Sequence, residues 1–474
     1  MDLLHTQFKR KFSCSLYKRK RLLLAEMELA KDFVNDTRGD LYPLLDRTEN
    51  AAERIEGQEY HRTGGSISRL LCAFFPYATY EVTARMQKGG RVGFRFLLPD
   101  AAATVTFSET ALFCQTEEGE RELPLPAWLS EKRTMLVTSR PSAFDIYFER
   151  KGGAEYFCTL TAPRFADSNV YETFASAKTA LVTEGDSVVS HACSFIDSGI
   201  SIADIRPIRY ENGEVMVKEG KVYLTASLRM EEGAVQGVLS WVPGTADFAL
   251  TGAIFYDAGD GIWASDVAAS LLYDRKKDVW LLWVPSFAHG HILGHAAFAG
   301  DPRFGVNVVD ITLMERAPEG APATAFLATP NDEDPDFLFD EAAGVWRMAI
   351  CRTDPETNAY RYHFFVSDEP FSGYRFVGKG MAGAETGGSF VRVENELYFL
   401  CGNAFDKVSD YRIYRAGGMS TARFDYPDGG FRGWGTLIPV RMGSRTRYFW
   451  LTFDRHNGSD YNWSYGNLYC FEAP

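Results

Sequence analysis

The sequence predicts an all-β protein in which a five-bladed β-propeller follows a β-sandwich, and three observations predict it. The chain has 474 residues, more than one hydrophobic core usually organises, so two domains are expected. Aromatic residues make up 14% of it, with 35 Phe, 23 Tyr and 9 Trp, and these side chains favour strands. Beyond Ile200 a strand–turn–strand unit recurs five times, and internal repetition of this length marks a propeller.

Residues 1–56 read as an N-terminal extension. Lys9, Arg10, Lys11, Lys18, Arg19, Lys20 and Arg21 are followed only by Leu22-Leu23-Leu24-Ala25 before Glu26, too short an apolar run for a secretory signal. The basic stretch is expected to be dispensable, with Met27 a plausible start, so that removing residues 1–26 leaves folding and activity intact. From Glu28 to about Glu56 the pattern is mixed, interrupted by Gly39, Pro43 and Asn50, and is read as helical or irregular.

Residues 57–196 alternate apolar and polar positions in short runs. Examples are Tyr80-Glu81-Val82-Thr83-Ala84, Val92-Gly93-Phe94-Arg95-Phe96 and Phe144-Asp145-Ile146-Tyr147-Phe148. Period-two strands at this spacing predict a lectin-like, concanavalin-type β-sandwich, more suited to bracing the next domain than to anchoring glycans independently.

Residues 197–474 carry the repeat, with units starting near Asp204, Asp266, Asp334, Glu385 and Gly430. The expected inner strand pairs are Val215–Val217 with Val222–Thr225, Ala268–Tyr273 with Val279–Val284, Phe337–Phe339 with Trp346–Cys351, Phe390–Val393 with Leu397–Cys401, and Thr436–Val440 with Tyr448–Thr452. In a blade the start of the innermost strand and the loop after the second strand open on one face, so chemistry is sought there.

A formal charge of −13 disfavours a nucleic-acid partner, whose phosphates call for Lys and Arg. The sequence has no run of 18 apolar residues and thus no helical membrane span. The eight cysteines are scattered without CxxC spacing, which fits reduced thiols in a cytoplasmic protein. Three carboxylates stand before inner strands: Asp204 in Ala203-Asp204-Ile205-Arg206-Pro207, Asp334 in Asp332-Glu333-Asp334-Pro335-Asp336-Phe337, and Glu385 in Ala384-Glu385-Thr386-Gly387-Gly388. Each alone is commonly a turn former. Together they match glycoside hydrolysis, which needs one carboxylic acid to protonate the leaving oxygen and one carboxylate to activate water.

On these residues the region from about 200 to 474 resembles the five-bladed glycosidases of glycoside hydrolase family 43 and, more loosely, families 32 and 130. The resemblance implies Asp204 as general base, Asp334 as modulator of the acid, and Glu385 as general acid, with inversion at the anomeric carbon. Trp263-Ala264-Ser265-Asp266-Val267 resembles that family's Trp-Ala-Pro-Asp, and Asp266 is an alternative third carboxylate. Asp204 is followed by Ile-Arg-Pro and Glu385 by Thr-Gly, both departures from the family pattern.

His289, His291 and His295 lie at i, i+2 and i+6, one face of an extended strand, which is compatible with a metal. Gly290 suggests a loop instead, so His289 and His291 are read as substrate-binding and no metal ligands are assigned. Arg206, Asp266, Arg432, Trp434 and His456 complete the expected substrate contacts, Trp434 through its apolar face and the arginines through their forks. The chemistry requires no cofactor, although the resemblance leaves room for a central calcium ion beside His456. The expected partner is an oligosaccharide, and the expected activity is hydrolysis of terminal glycosidic bonds. A phosphorylase of the family 130 type and a noncatalytic glycan binder are the alternatives.

Overall fold

Alternation of apolar and polar residues produces strands that bury one side or both, and nearly every element of the chain is such a strand. The computed structural model describes residues 3–14, 19–27, 42–87, 89–151, 153–322, 324–329, 331–354, 357–381, 383–403, 411–415, 418–424, 435–453 and 467–473. Two compact units result: residues 17–197 with 261–263, and residues 1–16, 198–260 and 264–474.

The first unit is a sandwich of a seven-stranded and an eight-stranded sheet. Their inner faces meet in an aromatic core, with Phe96 stacked on Phe144 at 4.5 Å and Tyr80 edge-on to Phe96 at 5.0 Å. The sandwich begins earlier than residue 57. Leu44–Arg47 and Ala52–Glu56 are strands of the two sheets, and Arg21–Glu26 pairs with Ser187–Asp197, so the expected extension is structural here. Arg19 is fixed by a 2.7 Å ion pair to Asp197. Gly261–Trp263 groups with this unit, and Trp263 packs on Phe174 and Phe75.

The second unit is a five-bladed propeller. Blade one is Ser201–Pro207, Lys221–Arg229, Ala234–Trp241 and Phe248–Asp257, with Gly305–Asp310 added in parallel at its edge. Its inner strand is Ser201–Pro207, whereas the sequence pattern pointed to residues 215–217. Of that run, only Val217 belongs to a strand, Val217–Lys218, which pairs across the hairpin with Lys221–Val222. The uniformly buried Ser201–Pro207 carries Ser, Asp and Arg, which hid its place at the centre. Blade two is Ser270–Asp274, Val279–Ser286, Ile292–Phe298 and Thr312–Leu313. Blade three is Glu333–Asp340, Val345–Asp354, Ala359–Ser367 and Arg375–Lys379. Blade four is Glu385–Val393, Glu396–Asn403, Arg412–Arg415 and Gly418–Thr421.

Blade five takes Thr436–Met442, Arg445–Phe453 and Leu468–Glu472 from the C-terminal end and its fourth strand, Gln7–Cys14, from the N-terminal end. The ring is thereby closed by strands from opposite ends of the chain. This corrects the reading of residues 1–26 as dispensable: Phe8 is 0% exposed and packs edge-on to Trp450 at 5.3 Å, while Lys11 reaches Glu472 at 3.1 Å. Successive blades are glued by apolar clusters, such as Trp283 and Leu293 with Phe337 between blades two and three, and Trp241 meets Phe449 at 5.5 Å between blades one and five.

Candidate active site

The inner strands share one irregularity. In blades one, three and four the ladder slips by a residue, between Ala203 and Arg206, Glu333 and Asp336, and Thr386 and Ser389. At the slip stand Asp204 (φ 51°), Asp334 (φ 45°) and Gly387 (φ 58°), with Ala268 (φ 64°) in the same place ahead of Ser270 in blade two. A bulge turns a side chain away from the normal alternation. A non-glycine residue held at positive φ is strained, and such strain gathers at functional sites.

Asp204 and Asp334 are each 4% exposed and close enough for one charge to act on the other. Asp204 accepts a short hydrogen bond from Ser227 Oγ and lies 3.6 Å from Arg229. Burial pushes its carboxyl up to about 6, against the pull of Arg229 and with the repulsion of Asp334. Asp334 accepts hydrogen bonds from Thr386 Oγ1 and the Gly387 N–H, both at 2.9 Å, and from Arg206 Nη2 at 3.4 Å. Arg206 also donates to the Pro335 and Ala268 carbonyls at 2.7 and 3.2 Å, so its fork is occupied by the protein. One layer deeper, Asp336 accepts from Arg209 (2.5 Å), Ser270 (2.6 Å) and the Phe390 N–H (2.6 Å), tying blades two, three and four together, since Arg209 pairs with Leu272 of blade two.

Glu385 is placed differently. It is fully buried; its Oε2 accepts the Tyr362 N–H at 2.9 Å, its Oε1 accepts a short bond from Tyr414 OH, and Arg412 stands 3.8 Å away. Its carboxyl thus lies among residues of blades three and four. Asp266 likewise serves its own blade, accepting from Ser286 Oγ (2.7 Å) and the Phe287 and Ala288 N–H groups (2.8 and 3.2 Å). Burial raises its carboxyl, partly offset by those bonds.

The three histidines diverge. His289 bridges Ser286 Oγ at 2.8 Å and Asp260 at 2.9 Å. His291 lies 3.1 Å from Glu333 Oε1; burial pulls its imidazole down, but Glu333 prevails and raises it. His295 stacks on Phe371 at 4.7 Å and is lowered by burial. His289, His291 and His295 are not among the groupings of metal-ligating atoms found in the described residues. Beside His291 sits Phe287, 45% exposed with rings 4.7 Å apart, and Tyr360 OH reaches Glu333 at 3.3 Å. Phe287, Glu333 and Arg229 were not singled out in the sequence, where nothing distinguishes them from core or surface residues. Arg432, Trp434 and His456 lie outside the described residues.

No family model matches the chain, and no curated protein does. Among solved structures it is similar to a GH43 β-1,3-galactosidase with galactodeoxynojirimycin, at 10% identity over 56% of this chain and 93% of that one, TM-score 0.38. It is also similar to the catalytic domain of the Coprinopsis cinerea GH62 α-L-arabinofuranosidase, at 14% identity over 58% and 90%, TM-score 0.37. The carbohydrate-binding module CBM66 from Bacillus subtilis matches 33% of this chain and 95% of its own, at 14% identity and TM-score 0.24. Likeness at these scores carries no chemistry, and the fold rests on strand pairing: the chain is a five-bladed β-propeller joined to a β-sandwich, with structural neighbours among the GH43 and GH62 glycosidases.

Proposed function

We propose that the propeller is a glycoside hydrolase working by carboxylate acid/base catalysis on terminal sugars, with Asp204 as the base. The observation that carries this reading is the pair Asp204 and Asp334, brought from blades one and three by matching bulges. A carboxyl at about 6 is ionised at neutral pH yet basic enough to take a proton from an attacking water. Asp334, held in place by Thr386, Gly387 and Arg206, repels charge on Asp204 and so adds to that basicity. Glu385 is assigned as proton donor from its place in the sequence pattern, and to serve it must turn from Tyr414 and Tyr362 toward the axis. Occupation of the Arg206 fork by Asp334, Pro335 and Ala268 favours water over phosphate as the nucleophile.

The test is a screen of the full chain against aryl arabinofuranosides, xylosides, fructosides and galactosides, with and without phosphate. Asp204→Asn is expected to cut turnover by roughly 10²–10⁴-fold while ligand binding persists. Glu385→Gln should lose turnover on alkyl glycosides and keep it on dinitrophenyl glycosides, whose leaving group needs no proton. Unchanged turnover in Asp204→Asn, or turnover that requires phosphate, would sink the proposal.

A further inference from the structure

The sandwich carries a second constellation. On its eight-stranded sheet Cys193 sits in the strand Ser187–Asp197, directly opposite Glu81 of Thr79–Met86 on one side and Glu26 of Arg21–Glu26 on the other. His191, two residues before Cys193, shares its face because strand side chains alternate. Four potential ligand side chains thus meet over three neighbouring strands. His191 Nε2 lies 3.2 Å from Cys193 Sγ and 3.6 Å from Glu81 Oε1, and one ligand atom from each of these three residues falls within 4.8 Å of the others.

From this geometry we infer that Glu81, His191 and Cys193 form a binding site for a zinc-like divalent cation. A tetrahedral ion with bonds of about 2.0 Å to N and O and about 2.3 Å to S separates its ligand atoms by roughly 3.3–3.6 Å, close to what the side chains already show. The other imidazole nitrogen, Nδ1, is 3.6 Å from Glu26 Oε1. A carboxylate on the far nitrogen is the arrangement that fixes a metal-binding histidine with Nε2 toward the ion. Arg21 holds both Glu81 oxygens, at 3.0 and 2.5 Å, but a carboxylate offers about four lone-pair sites, so Oε1 can meet the ion while Arg21 keeps the group in place. The His191 side chain is 33% exposed, which gives the ion a route in and a water the fourth position. On binding, the Cys193 thiol releases its proton to solvent.

The full chain, purified without chelator and loaded with zinc, is expected to retain about one equivalent after desalting. Cobalt in its place should give a thiolate-to-metal charge-transfer band. Cys193→Ser should abolish the band and His191→Gln should abolish retention, both with the far-UV circular dichroism of the parent. Glu26→Gln should keep the band and weaken affinity roughly 10–100-fold. Absence of retained zinc and of the cobalt band in the folded parent protein overturns the inference, as does a band that survives Cys193→Ser.

Discussion

Phe8→Ala tests whether the N-terminal strand closes the propeller. Phe8 is fully buried, in a cluster with Leu3, Trp450 and Phe471, with ring neighbours at 5.3 Å (Trp450) and 5.6 Å (Phe424). Its strand pairs with Leu468–Glu472 over five residue pairs, from Lys9 with Glu472 to Cys14 with Leu468. Truncating a core phenylalanine costs about 3–5 kcal/mol, and at roughly 2–4 °C per kcal/mol for a domain of a few hundred residues the melting midpoint should fall by roughly 6–20 °C. Because the chain has two compact units, the midpoint is best read with site-resolved hydrogen exchange. Phe8→Ala should raise exchange in Leu468–Glu472 and Arg445–Phe453 and leave Thr79–Met86 of the sandwich unchanged. Lys9→Ala, exposed on the same strand, should stay within about 0.5 kcal/mol of the parent. If Phe8→Ala melts with the parent and the C-terminal strand keeps its protection, residues 7–14 do not complete blade five.

Asp204→Asn is expected to stabilise the protein at pH 7 while abolishing turnover, because burying an ionised Asp204 is costly. Its folded value of about 6 lies above the ordinary 3.8, so the cost is absent below pH 4, grows between pH 4 and 6, and levels off above at about 2–3 kcal/mol. Melting curves at pH 4 and pH 7 check this, and a gain at pH 4 equal to that at pH 7 would contradict it. Asp336→Ala strips the buried partner from Arg209 and should destabilise the propeller by about 3–5 kcal/mol, measured by denaturant midpoint; Arg209→Met combined with Asp336→Ala should recover most of that loss.

The sequence carries the propeller clearly where blades bury whole strands. Val279–Ser286 and Val345–Asp354 contain apolar runs bounded by turns, and their shortness and aromatic content identify them as strands. It fails where burial is polar or partial. Ser201–Pro207 is buried throughout, but its Asp204 bonds to Ser227 of the next strand and its Arg206 to Asp334 and Pro335 of blade three, which no local pattern reports. Gln7–Cys14 has one fully buried side chain, Phe8, among exposed basic residues, so charge masks its strand. Asp204 and Asp334 were legible as the starts of their repeat units, and both stand at bulges of inner strands.

What the sequence could not show is the bulge, and the bulge decides which carboxylates are equivalent. Counting back from the first residue after each slip, Arg206, Asp336 and Ser389 occupy one position, and Ser270 fills it in blade two. Two residues earlier stand Asp204, Asp334, Gly387 and Ala268, all at positive φ. Two earlier again stand Ile202, Asp332, Glu385 and Asp266. The carboxylates of this outer set are all buried and bound within or between blades: Asp332 to Arg352 at 3.0 Å, Asp266 to Ser286, and Glu385 to Tyr362 and Tyr414. Reading each as the start of its repeat unit makes Glu385 look like the counterpart of Asp334, whereas ladder register makes it the counterpart of Asp332. Comparison of Asp332→Asn with Glu385→Gln follows from this. A bracing residue lowers stability and leaves the dependence on leaving group unchanged, while a proton donor makes the rate fall steeply as the leaving group becomes more basic. If both variants lose stability and neither changes that slope, the donor is another carboxylate, and Glu333 beside His291 is the one the geometry offers.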